Sequence, residues 1–106
     1  MDLKNIQTPA LILDYDIFKE NAKRMNNLLD GKKLRLRPHY KSHKCSRIAH
    51  MQIENGAVGM TCAKLEEAFD LAESGIENIL IANQITDKSK ISKLAFTLFI
   101  NFKLLH

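Results

Sequence analysis

An α/β fold of about four strand-helix units is predicted by two features of this sequence and bounded by a third. Short apolar runs bordered by Pro, Gly or Asp alternate with stretches whose apolar residues recur near every 3.6 positions. The connections are short, so successive strands are expected to pair in parallel through right-handed crossovers. The length of 106 residues then allows one small domain. Four glycines and two prolines are too few for a many-turned β architecture.

The first strand is expected over Thr8–Asp14, where Ala10, Leu11, Ile12 and Leu13 follow Pro9 as an apolar run suited to burial on both faces. A helix starts at Asp16, carries Ile17, Phe18, Met25, Leu28 and Leu29 near the helical period, and stops before Gly31. Lys33–Lys41 alternates, with Leu34, Leu36, Pro38 and Tyr40 on one side and Arg35, Arg37, His39 and Lys41 on the other. This predicts a second strand with a basic face. Cys45–Asn55 reads as a helix with Ile48, Ala49 and Ile53 on one face and Gly56 as its stop. Ala57–Ala63 is the third strand.

Leu65, Ala68, Phe69 and Ala72 are spaced i, i+3, i+4 and i+7, which predicts a helix ending at Gly75. Ile79–Ala82 reads as a fourth, buried strand. Asp87 caps a last helix with Ile91, Leu94, Ala95, Leu98 and Phe99 at helical spacing, intact to about Phe99. The units share no signature residues, so they are structural units rather than sequence repeats.

With 45% apolar and 26% charged residues the chain has an ordinary soluble composition, and its net charge of +4 suits small anions. Cys45 and Cys62 show no paired spacing, and no apolar leader follows Met1, which points to a reducing, cytoplasmic setting. Ala95–Leu105 is broken by Asn101 and Lys103 and is shorter than the roughly 20 residues of a spanning helix, so no membrane partner is expected.

The chemistry concentrates in Leu36–Cys45, which places His39, His43, Arg37, Lys41 and Lys44 at a strand end and the following turn. Ligands bind at the carboxyl ends of strands in open α/β sheets and in barrels alike. Strand parity puts Lys41 on one face with Arg35, Arg37 and His39, while Lys44 lies past the strand at the helix entrance. Nearby cations and partial desolvation favour a neutral amine at Lys41 that can attack a carbonyl, which is Schiff-base logic.

Other readings of the same residues are weaker. His39, His43, Cys45 and Cys62 lack the ligand spacing of a zinc site, and Cys62 suits a small buried filler. His39 and His43 read first as hydrogen-bonded structural imidazoles. Glu66 and Glu67 at a helix start complement the helix dipole rather than form an acid/base pair. Lys32, Lys33, Arg35, Arg37, Lys41, Lys44 and Arg47 form a basic cluster, yet only Tyr40 is available for base stacking, so nucleic acid is not expected as a partner.

Four segments carry a resemblance: Thr8–Asp14, Arg37-Pro38-His39-Tyr40-Lys41-Ser42-His43-Lys44, Gly59–Ala68 and Ile79–Asn83. Together they resemble the amino-terminal part of the D-threonine aldolase and D-serine dehydratase group, pyridoxal-phosphate enzymes of the alanine-racemase-like barrel class. The resemblance implies a partial TIM-type (β/α) barrel, truncated, since a whole barrel takes about 250 residues. It also implies that Lys41 is both the catalytic and the cofactor-binding residue, displaced by the substrate amine and then able to return protons. Full-length members would act on small D-amino acids by aldol cleavage or dehydration, would be homodimers, and would hold a divalent metal through ligands absent here. A fragment of an alanine-racemase-like or pyridoxal-phosphate-homeostasis protein, or a non-enzymatic basic anion-binding fragment, is the alternative. On this reading residues 1–95 are the amino-terminal part of the barrel domain. Residues 96–106 form a divergent tail, read as a truncated or frameshifted gene end, and the chain is expected to be inactive alone.

Overall fold

The apolar positions of β1 (Met60–Cys62) explain the arrangement best, because Met60 and Cys62 are fully buried and the strand has a hydrogen-bonded neighbour on each side. In this computed structural model, which describes residues 2–104 and the side chains of residues 2–98, β1 pairs in parallel with β2 (Ile79–Ile81). The register sets Met60 opposite Ile79 and Cys62 opposite Ile81. On the other side His39 forms a single parallel bridge with Thr61. Three chain segments therefore lie side by side, parallel and in sequence order.

Four α-helices accompany them among the described residues: α1 (Tyr15–Leu29), α2 (Ser46–Glu54), α3 (Leu65–Glu73) and α4 (Lys88–Leu104). Asp14 caps α1 by accepting the Ile17 N–H at 3.1 Å, so this helix starts one residue before the expected Asp16. α2 and α3 match the sequence reading to within about two residues at each end. Gly75, at φ +93, takes the left-handed conformation that lets the chain leave α3. Asp87 caps α4 through the Lys90 N–H at 3.0 Å. That helix runs on to Leu104 rather than fading at Phe99. The side chains of the expected apolar tail beyond Leu98 lie outside the described residues; Phe96 and Leu98 are exposed. No helix among the described residues is long and apolar enough to cross a membrane.

The core joins Tyr40, Ala49, Met60, Cys62, Ala68, Leu71 and Ile76, with Ile53, Ile79 and Ile81 packed against it. It therefore lies between the β1–β2 pair and helices α2 and α3. His50 Nε2 donates to the Ser74 carbonyl at 2.7 Å, tying α2 to the end of α3. α1 contributes no fully buried residue; of its expected apolar face only Phe18 and Leu29 are half-buried.

Three expectations are corrected. The first strand, Thr8–Asp14, is irregular, and Leu11 is 95% exposed. A run apolar on both faces needs strands beside it and layers above and below, and the described residues supply neither. The second strand, Lys33–Lys41, is reduced to the His39 bridge and passes into a 3-10 turn at Tyr40–Ser42. Leu36 and Pro38 still accept from the Val58 and Thr61 N–H groups at 2.9 and 2.8 Å, but Pro38 has no N–H to return. Finally, Ile79–Ile81 is a half-buried strand, with Leu80 50% exposed, because only β1 flanks it. The fold is thus a small partial α/β unit with two paired strands in place of four.

At the amino ends of the strands Arg37 Nη1 donates to both the backbone oxygen and Oδ1 of Asn78, at 3.1 and 2.8 Å. Asn78 Nδ2 donates to the Val58 carbonyl at 2.8 Å, and its own carbonyl accepts the Met60 N–H at 2.9 Å. Gly59 lies inside this clamp: a Cβ there would overlap the Asn78 backbone oxygen and Arg37 Nη1. Backbone on one side of the overlap cannot swing away as a side chain would. Gly59→Ala is expected to lower stability by about 1–3 kcal/mol. A denaturant midpoint equal to that of the unsubstituted chain would contradict this.

Candidate active site

Parallel pairing brings three carboxyl strand ends to one edge of the molecule. Beyond His39 lies the Tyr40–Ser42 turn, beyond β1 the Ala63–Lys64 entrance to α3, and beyond β2 the Ala82–Asp87 loop into α4. The last two enclose a polar cleft of about 440 Å³ lined by Lys64, Glu66, Asn83, Thr86, Asp87 and Lys90. Lys90 Nζ stands 3.7 Å from Glu66 Oε1 across it. The Glu66 carboxyl is held below its usual range, chiefly by a hydrogen bond from its own backbone N–H and then by Lys90.

Lys41 lies in the 3-10 turn, exposed to solvent, with no ion pair among the described residues. It is not in a strand, so the parity that set it on one face with Arg35, Arg37 and His39 does not extend to it. The desolvation expected around its amine is absent from this chain. The turn itself is closely specified. His39 Nδ1 accepts the Lys41 N–H at 3.2 Å, and Ser42 Oγ donates to the His39 carbonyl at 3.1 Å. The Lys44 N–H donates to the Tyr40 carbonyl at 2.8 Å, and Tyr40 is buried in the core.

Lys44 follows at φ +48, a left-handed conformation few non-glycine residues adopt, and directs its ammonium to Glu67 Oε1 at 3.5 Å. Glu67 is buried, and its Oε2 accepts the Ala63 and Lys64 N–H groups at 2.9 and 3.2 Å. One carboxylate thus caps α3 and reaches the turn that carries Lys41. Burial pushes the Glu67 carboxyl up, but the two backbone hydrogen bonds and the Lys44 charge outweigh it, and the net direction is down.

The two histidines are engaged locally. His43 Nδ1 accepts the Cys45 N–H at 3.1 Å while its Nε2 meets Gln52 Oε1 at the same distance, which fits a neutral ring with its proton on Nε2. Its ring stands edge-on to Tyr40 at 5.5 Å. Among the described residues no group of three or more His, Cys, Asp or Glu is placed to hold a metal ion. Cys62 is fully buried, as its place in β1 suggested, and burial followed by the Glu67 charge pushes its thiol up to about 11. Within the basic cluster Arg37 is turned to Asn78 and Lys44 to Glu67.

The profile of the alanine racemase N-terminal domain matches residues 13–100. The chain belongs to that family. It is 38% identical over 92 residues to the D-threonine aldolase of Arthrobacter sp, a match that covers 87% of this chain and 24% of that protein. The crystal structure of D-threonine aldolase from Filomicrobium marinum superposes with a TM-score of 0.83 at 47% identity, covering 88% of this chain and 25% of that one. D-threo-3-hydroxyaspartate dehydratase from Delftia sp. HT23 gives 0.77 at 31% identity, covering 93% and 25%. This alanine racemase N-terminal domain chain therefore spans about a quarter of the length of the relatives it matches. Within it the sequence reading did not find the Lys44–Glu67 pair or the Asn78 clamp. A Glu three residues past the helix start signals a cap, but Lys64 in place of Ser or Thr hides it.

Two outcomes are expected from these environments. A carboxylate whose folded pKa is depressed contributes stability that is complete above its unfolded pKa, about 4.3, and is lost as pH falls through the folded one. The chain is therefore expected to lose stability as pH falls below about 4, and Glu67→Gln to flatten that decline. Equal pH slopes in the two proteins would contradict the role given to Glu67. Iodoacetamide at mildly alkaline pH is expected to label Cys45 and to reach Cys62 only when the chain unfolds. Equal labelling of both thiols in the folded chain, read by mass spectrometry, would refute the burial.

Proposed function

We propose that this chain is the lysine-bearing amino-terminal part of a pyridoxal-phosphate-dependent lyase acting on small D-amino acids, with Lys41 as the residue that binds the cofactor covalently. The observation that carries the reading is the contrast between two lysines on one turn. Lys41 offers an exposed amine at the carboxyl edge of parallel segments, while Lys44 is committed to Glu67. The donor set suits the aldehyde end of the cofactor, since a primary amine is the one group such a carbonyl requires. Arg37 is occupied by Asn78 at the opposite ends of the strands, so it is not assigned to the phosphate.

When bound, pyridoxal phosphate supplies an electron sink for cleavage at the substrate α-carbon. The chain's own part is to hold the attachment point. His39 accepts the Lys41 backbone N–H, and the buried Tyr40 fixes the turn against the core. The relatives named above are two D-threonine aldolases and a D-threo-3-hydroxyaspartate dehydratase, which supports a lyase over a racemase. The polar cleft beside Lys64 and Asn83 lies on the same edge as the lysine turn and is the place in this chain where a small polar substrate would approach.

The amine at Lys41 is wet and the chain spans about a quarter of its relatives, so tight cofactor retention and turnover are not expected of it alone. Borohydride reduction after incubation with pyridoxal phosphate is expected to label Lys41 above Lys44. After dialysis no absorbance from bound cofactor is expected, and no aldehyde or keto acid from D-threonine or D-serine. A label that avoids Lys41 would overturn the assignment, and turnover by the 106-residue chain would overturn its dependence on further segments.

A further inference from the structure

A reactive carbonyl approaching the Tyr40–Ser42 turn meets two lysines three residues apart, Lys41 and Lys44. Both are exposed enough to react, Lys44 at 57% of its side chain. Something must decide between them, and strand parity does not, because neither lies in a strand.

We propose that Glu67 is a specificity-determining residue that suppresses Lys44 as an amine nucleophile by pairing with its ammonium. The proposal rests on the reading of Lys41 as the cofactor-binding lysine, but its test is separate. An amine tied by an ion pair to a carboxylate on α3 must break that pair before it can reach a carbonyl that arrives at the Lys41 side of the turn. Three features of the geometry hold it there. The Glu67 side chain is 7% exposed, and its Oε2 is filled by the Ala63 and Lys64 N–H groups. Its Oε1 has Lys44 as its partner among the described residues, at 3.5 Å.

The backbone adds to this. Lys44 occupies φ +48 and closes the turn through its N–H to the Tyr40 carbonyl at 2.8 Å, so its side chain leaves the turn toward α3. Lys41 leaves the same turn into solvent, without an ion pair among the described residues. The depressed carboxyl of Glu67 keeps the pairing partner ionised wherever an amine could react. One carboxylate therefore acts twice, as the cap of α3 and as the group that separates two otherwise similar amines.

The test is site-resolved labelling of the whole chain with pyridoxal phosphate and borohydride, comparing the unsubstituted protein with Glu67→Gln. The amine lone pair adds to the aldehyde carbon, and water leaves as the C=N bond forms. Borohydride then delivers hydride to that carbon, and solvent supplies the proton to nitrogen. Glutamine keeps an oxygen for the Ala63 and Lys64 N–H groups but removes the charge. Lys44 labelling, normalised to the exposed Lys33, which has no ion pair among the described residues, is expected to rise about two- to fivefold, the range an ion pair with one exposed partner supports. Labelling of Lys41 on the same scale is expected to stay level, which a general loosening of the fold would not produce.

Unchanged labelling of Lys44 in a folded Glu67→Gln protein overturns the proposal, whatever Lys41 does. A label that avoids Lys41 in the unsubstituted chain overturns the reading of Lys41, while the Lys44 ratio still decides the role of Glu67. If Glu67→Gln does not fold, the unsubstituted chain is labelled from about 0.05 M to about 1 M salt, where the screening length shrinks to about 3 Å. Lys44 labelling that rises relative to Lys33 supports the proposal, and a constant ratio overturns it.

Discussion

The demand that a strand with one fully buried face find hydrogen-bonded neighbours on both sides organises this molecule, and β1 is the segment that meets it. Thr61 is bridged to His39 on one side and stands opposite Leu80 on the other, while Met60 and Cys62 turn fully buried side chains into the core. Every other core residue packs around that line. Ala49 comes from α2, and Ala68 and Leu71 from α3, which also carries the chain from β1 to β2. Where the same demand is unmet, order falls away: Leu11, Ile12 and Leu13 are as apolar as any strand in the chain, yet they lie exposed in an irregular segment.

The two ends of the parallel segments settle their polar groups in opposite ways. At the amino ends Asn78 gathers the Arg37 guanidinium, the Met60 N–H and the Val58 carbonyl into a clamp that admits no side chain at Gly59. Those contacts are saturated and serve packing. At the carboxyl ends Glu67 is saturated too, but by a partner drawn from the neighbouring turn, so that capping α3 and shaping the surroundings of Lys41 become one interaction. Conserving the strand direction while changing the polar content of its two ends is how an α/β unit separates stability from chemistry.

Membership of the alanine racemase N-terminal domain family places this edge in context. The chain superposes on about a quarter of the D-threonine aldolase from Filomicrobium marinum with a TM-score of 0.83. The least covered part of the sheet is its β2 edge. Leu80 is half exposed and the Ile79–Ile81 strand has one neighbour. Helix caps draw on residues close in sequence, whereas edge strands depend on what pairs with them.

The sequence by itself determined the helices and their order. Helical spacing, capping aspartates and glycines at φ above zero are local signals, and they placed α1 to α4 close to where they lie. The Arg37–Lys44 block drew attention to Lys41 and Lys44 through residue types alone. Tertiary structure decided the rest, because strands and buried polar groups are defined by partners distant in sequence. The apolar pattern of Ala10–Leu13 says that a strand is possible but not whether a neighbour exists to make it one. Alternation over Lys33–Lys41 says nothing of a turn that begins at Tyr40, which the burial of that ring and the Lys44 N–H to its carbonyl impose. The pairing of Lys44 with Glu67, 23 positions apart by number, arises only when α3 folds back beside the turn. Until then the two residues are one more lysine and one more glutamate.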